Sequence, residues 1–273
     1  MLYRYLFSAF VSLIFTAYFK FTIINMMKAH QFTVKNYSGM TVVNGGGLIF
    51  LFPCLFGIAP FWDDNTKMDI LVYANVVFAS LFMGLIDDFF GQNHPKGFKG
   101  HLKKIIERQL TTGVLKILIG VIIGFIVSSI YYSTVWDISI HAILFALCVN
   151  FANLMDLRPG RAVKAFLVTI VLIALLIGFE SLWVLFPLII AIIVYIPGEL
   201  KEEYMLGDTG ANLLGGLLGL YVISITQTHI KLTIFSILML IHIIAEFYSL
   251  SKIIDRISIL KSIDNIGRLK KER

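Results

Sequence analysis

Residues 68–88 read MDILVYANVVFASLFMGLIDD. From Ile70 to Ile86 there is no charged side chain, and the stretch then closes on two adjacent carboxylates, Asp87 and Asp88. The apolar residues are continuous rather than alternating, which reads as helix and not as a barrel strand, because a span in lipid must satisfy its own backbone hydrogen bonds. Similar runs occur at about 2–24, 41–61, 111–132, 138–155, 162–179, 181–197, 209–226 and 230–250. A bilayer core takes roughly 20 apolar residues per helical span. The expected fold is therefore an all-α integral membrane protein, a polytopic bundle of about nine transmembrane helices.

Composition agrees with that reading. Of 273 residues, 58% are apolar and only 15% charged, with a mean hydropathy of +0.85; an ordinary soluble domain is excluded. Cys54 and Cys148 lie inside apolar runs without metal or pairing spacing, so both read as small core residues. The net charge of +6 matters through its placement, and nucleic acid is not an expected partner. Lys and Arg gather after the odd-numbered runs: Lys28 and Lys35, the cluster from Lys96 to Arg108, Arg158 with Arg161 and Lys164, Lys201, and the C-terminal tail. By the positive-inside rule these connections are cytoplasmic, the N-terminus is outside and the C-terminus inside. The first run carries only Arg4 at its front and no small-residue cleavage site ends it, so a cleavable signal peptide is not expected. The chain divides into a transmembrane domain over 1–250 and a basic cytoplasmic tail over 251–273, read either as solvated or as an amphipathic helix.

That orientation sorts the acids. Asp87, Asp88, Asp156 and Asp208 all fall at the cytoplasmic ends of runs, whereas Asp63 and Asp64 fall in an external connection and read as a solvated loop. Carboxylates at helix ends in lipid are functional candidates. Neighbours on a helix project about 100° apart, so Asp87 and Asp88 are expected to divide roles, one toward a divalent metal and one toward a substrate proton. Asn150, Asn153 and Asp156 recur every three residues on one helical face, either as a polar wall for a nucleotide or phosphate or as glue to a neighbouring helix. Gly207-Asp208-Thr209-Gly210 opens an apolar helix where free N–H groups attract anions. Gly215 and Gly219 read as packing positions, and Arg158 and Arg161 as possible phosphate contacts.

In order, Gly84-Leu85-Ile86-Asp87-Asp88, Asn150-xx-Asn153-xx-Asp156 and Met205-Leu206-Gly207-Asp208-Thr209-Gly210 resemble the polyprenyl-phosphate N-acetylhexosamine-1-phosphate transferases, which include the phospho-N-acetylmuramoyl-pentapeptide transferase. Asn44-Gly45-Gly46 and the stretch from Lys103 to Gln109 extend the likeness over about residues 35–220. The resemblance implies a short, divergent phosphoglycosyl transferase of the cell membrane, active on its cytoplasmic face. It would use Mg²⁺ to transfer a sugar-1-phosphate from a UDP-sugar to undecaprenyl phosphate, releasing UMP. On this analogy Asp208 holds the metal, Asp88 supports the metal or the lipid phosphate, and Asp87 is the base or orienter. Asn150, Asn153, Asp156, Lys103 and Asn44 bind substrate. A homodimer is open. The chain departs from the family at Gly91, where a lysine is usual, and at Asp156-Leu157-Arg158-Pro159-Gly160, which lacks a second aspartate; it has no histidine beyond Leu250. The alternative reading is a homologue without turnover that binds lipid phosphate or acts as a scaffold.

Overall fold

The computed structural model describes residues 2–91 and 112–268. Their regular structure is helical apart from a small antiparallel hairpin, β1 (Thr33–Lys35) and β2 (Thr41–Val43). The helices are α1 (Leu2–Ala29), α2 (Leu51–Gly57), α3 (Lys67–Phe90), α4 (Thr112–Tyr131), α5 (Val135–Met155), α6 (Arg161–Ile177), α7 (Phe186–Leu200), α8 (Gly207–Ile225), α9 (Thr228–Phe247), α10 (Leu250–Arg256) and α11 (Ser258–Asn265). Five of them, α1, α3, α5, α8 and α9, are long and apolar enough to cross a membrane.

Every apolar run of the sequence carries helix, but not every one is a single rod. The second run divides into a 3-10 turn (Gly46–Phe50), α2 and a second 3-10 turn (Ala59–Phe61). Pro53 and Pro60 remove backbone donors there, and the Gly45–Gly47 turn opens it with Gly45 in the left-handed region at φ 73°. The seventh run likewise starts as a 3-10 segment, Phe179–Val184, before α7.

Helix α8 forms the axis of the molecule. Nearly all of its side chains are buried, and its glycines let α5 and α3 approach to backbone distance. A Cβ on Gly215 would stand 2.4 Å from Val149 Cα, and one on Gly216 would stand 2.3 Å from Ser80 Oγ. The expected packing role of Gly215 and Gly219 is realised against Val149 and Phe145 of α5. The outermost helices are the reverse case. In α9 only Ile230 and Leu238 are buried, and α1 exposes Leu6, Phe10 and Leu13 along one side. Apolar faces of that extent on a soluble monomer are rare.

The chain alternates direction, which fixes two ends. At one end Arg4 of α1 pairs with Asp63 at 2.6 Å, and Asp64 pairs with Lys67 at 3.1 Å. The acids expected to be solvated are thus ion-paired, Asp64 exposed and Asp63 half-buried, and Arg4 draws the Asp63 carboxyl down to about 2. The far end of α3 carries Asp87 and Asp88, and the starts of α6 and α8 and the ends of α5, α7 and α9 gather there.

The C-terminal segment folds back on that same end. Its anchor is Asp264, 4% exposed, whose oxygens accept from Arg161 Nε at 2.8 Å and Nη2 at 2.9 Å, and from Arg268 Nη1 at 2.8 Å and Nη2 at 2.6 Å. Arg158 forms a two-pronged pair with Asp255 at 2.9 and 2.7 Å. Burial pushes the Asp264 carboxyl upward, but the Arg161 and Arg268 guanidinium groups outweigh it and leave it below the ordinary value. Its stabilisation is complete above the ordinary aspartate value of 3.8 and is lost as pH falls through the lower folded-state value. Asp264→Asn should leave Arg161 buried without a full partner, costing about 3–5 kcal/mol. Melting followed by intrinsic fluorescence checks this; an unchanged midpoint at pH 7 contradicts it.

A polar cluster at one end of the helix bundle

Helix α8 begins without a side-chain cap of its own, although its first N–H groups need acceptors. Asp88, 5% exposed, supplies them from α3. Its Oδ1 accepts from Asp208 N at 3.0 Å and from Asn44 Nδ2 at 2.8 Å; its Oδ2 accepts from Thr209 N at 2.9 Å and Thr209 Oγ1 at 2.6 Å. A carboxylate at this position also complements the positive end of the helix dipole. The contact requires Gly84, where a Cβ would lie 2.3 Å from Thr209 Cα.

The same helix start is held from its other side. Met205 N donates to Val43 O at 2.7 Å, Gly46 N to Met205 O at 2.8 Å and Gly47 N to Leu206 O at 2.9 Å. A Cβ on Gly47 would stand 2.1 Å from Gly210 Cα. Gly207 turns the chain into α8 at φ 70°, the left-handed region that favours glycine. Residues 43–47, 84–88 and 204–210 thereby form one unit. Asp208 and Asp87 remain half-buried at its edge.

One turn into α8, Asn212 is fully buried and accepts from Asn153 Nδ2 at 2.6 Å, which also donates to Val149 O at 2.8 Å. Asn212 Nδ2 finds no acceptor among the described residues. Asn153 therefore has the partner that the helix-glue reading requires. Asn150 is exposed and stands apart from this pair, because it lies 60° farther round the helix. Asp156 is the half-buried residue that ends α5. Asn153→Leu should cost about 1–3 kcal/mol by stranding the Asn212 amide, and the double variant with Asn212→Leu should regain part of it. Equal melting of wild type and the single variant would show the pair to be energetically silent.

Arg158 and Arg161, read from the sequence as phosphate contacts, are instead committed to Asp255 and Asp264. Glu199, 1% exposed, accepts from Gly160 N at 2.9 Å and ties the 156–160 loop to α7. Lys103 lies outside the described residues, as do Lys96, Lys99, Lys104 and Arg108.

No group of three or more His, Cys, Asp or Glu side chains able to hold a metal occurs among the described residues. Both Asp88 oxygens already accept two hydrogen bonds each. The half-buried carboxylates of Asp87 and Asp208 are hard oxygen donors, and Mg²⁺ is commonly held by one or two carboxylates with the balance from substrate phosphates and water. Carboxylates of this kind fit that mode of binding. No family model and no curated protein matches this chain.

Asn212, Glu199 and Asp264 are the polar residues that sequence reasoning missed. Only Asn212 left a signal: it stands four residues after Asp208, hence on the same face of α8.

Proposed function

We propose that this chain is an integral membrane phosphoglycosyl transferase with about nine spans, its N-terminus outside and the polar end on the cytoplasmic face. It transfers a sugar-1-phosphate, of the N-acetylhexosamine class, from a UDP-sugar to undecaprenyl phosphate and releases UMP for cell-envelope polysaccharide synthesis. The observation that carries this reading is the junction of residues 43–47, 84–88 and 204–210, which hold two of the three motifs of the resemblance and the Asn44-Gly45-Gly46 stretch that extends it, around the start of one buried helix.

In the reaction an oxygen of the lipid phosphate forms a bond to the β-phosphorus of the UDP-sugar, while the bond from that phosphorus to the bridging oxygen breaks and leaves with UMP. Both reactants are anions, so the site must offset their repulsion. Mg²⁺, when bound, neutralises the diphosphate and the charge developing on the leaving oxygen. Asp208 would hold it. Asp87 orients the lipid phosphate and accepts a proton from it if it arrives protonated. Asp88 fixes the start of α8 so that the Asp208 carboxylate faces the substrates from a rigid base. Asn153 supports the same helix one turn deeper, and Asp156 borders the nucleotide side.

The second reading, a homologue that binds lipid phosphate without turnover, draws on the commitment of Asp88, Arg158 and Arg161 to protein partners. Incubation of the purified protein with undecaprenyl phosphate, Mg²⁺ and a panel of UDP-sugars separates the two. UMP release with a lipid diphosphate-sugar in the mass spectrum supports the transferase; lipid binding without UMP from any donor supports the second.

A further inference from the structure

We infer that the outer face of the α10–α11 hairpin is a docking surface for anionic lipid headgroups at the edge of the bilayer. This rests on the membrane placement proposed above and not on the transferase chemistry.

The hairpin sorts its side chains by charge. Its two acids are both paired, the buried Asp264 with Arg161 and Arg268 and the half-buried Asp255 with Arg158, and Leu250 and Ile254 pack against the core. The fully exposed charges are cationic, Lys252, Arg256 and Lys261, and with the small polar Ser258, Ser262 and Asn265 they stand beside exposed apolar side chains, Ile259 (73%), Leu260 (40%) and Ile266 (64%). Lys252 and Arg256 are four residues apart and share one face of α10. On α11, Ile259, Leu260 and the half-buried Ile263 fall within an arc of about 100°.

Position adds a second argument. The hairpin leaves the end of α9, a helix of membrane-crossing length and composition, two residues after Phe247 and Tyr248 begin to stand clear at 74% and 67% exposure. Exposed aromatic rings at a helix end mark the headgroup level. A segment that emerges there, is clamped by ion pairs, and exposes cations and an aliphatic arc beside small polar residues (Ser258, Ser262 and Asn265) matches an anionic lipid surface: the cations meet the headgroups and the aliphatic arc enters the acyl boundary.

The test uses the full chain reconstituted in vesicles of phosphatidylcholine alone or mixed equally with phosphatidylglycerol, each containing a lipid-borne quencher. A fluorophore is attached at Ile266→Cys, and in a separate protein at Leu240→Cys, an exposed position midway along α9; the native Cys54 and Cys148 are buried. The Leu240 label should be quenched in both lipids, and its failure to quench would remove the membrane placement itself. With that control met, quenching at Ile266 should rise at least about twofold with phosphatidylglycerol. The increase should vanish in about 1 M salt and in the Lys252→Gln, Arg256→Gln variant. Equal quenching in the two lipids, or none in either, overturns the inference.

Discussion

Asp208→Asn protein is expected to retain the fold and to release UMP at least about a hundredfold more slowly than wild type, with added Mg²⁺ failing to restore the rate. The amide has nearly the shape of the carboxylate but lacks its charge, so the variant lacks the group proposed to hold Mg²⁺ while the backbone N–H of residue 208 keeps its bond to Asp88. The side chain is half-buried in the first turn of α8, where loss of its charge removes a helix-terminus interaction of about 0.3–1 kcal/mol. The diagnostic is therefore a rate that collapses with only a small change in melting. Asp87→Asn should behave in the same direction. Wild-type rates in both variants would remove the assignment of these acids to the chemistry.

Asp88→Asn is expected to give the opposite signature. Its carboxylate accepts two bonds on each oxygen from Asn44, Asp208 N and Thr209; an amide presents a single acceptor and turns an NH₂ toward N–H or O–H donors. Buried donors deprived of an acceptor cost about 1–3 kcal/mol each, and the charge at the helix terminus is lost as well. A fall in stability of about 2–4 kcal/mol follows, read as a lower melting midpoint and a lower yield from detergent. Activity should drop along with folded protein and with the order of the Asp208 backbone. If Asp88→Asn melts with wild type but has lost its rate, Asp88 acts on the substrates and not through α8.

These two variants also show what the sequence made legible. The length and continuity of the apolar runs located α1 to α9, though only five of these are long and apolar enough to cross a membrane, and they left α10 and α11 unmarked; burial in lipid or core leaves a period-free apolar signature in residue type alone. The placement of Asp87, Asp88 and Asp208 at one end followed from counting helix reversals. That Asp87 and Asp88 face different ways was visible as a 100° offset, but not that Asp88 turns inward to accept from the start of α8, because that depends on a partner helix whose start lies 120 residues along the chain. Asn150 and Asn153 were indistinguishable by spacing; the close approach at Gly215 decides which one meets α8. The breaks around α2 needed the Gly46 and Gly47 bonds to Met205 and Leu206 to become explicable. The C-terminal anchor was hidden for a similar reason: Arg161 and Asp264 are 103 residues apart, and a basic composition masked two acids that face the protein.

The borrowed cap of α8 has a consequence for biosynthesis. The ribosome makes Asp88 well before Asp208, and at about 5–20 residues per second the 120-residue gap lasts about 6–24 s. Throughout that interval the nascent chain carries an acid whose eventual helix has not been translated, with Asn44 as its only available partner from this cluster. Final docking of α3 into the bundle must therefore wait until translation has passed Thr209, so the first helices stand as a loose, unfinished half that later synthesis closes.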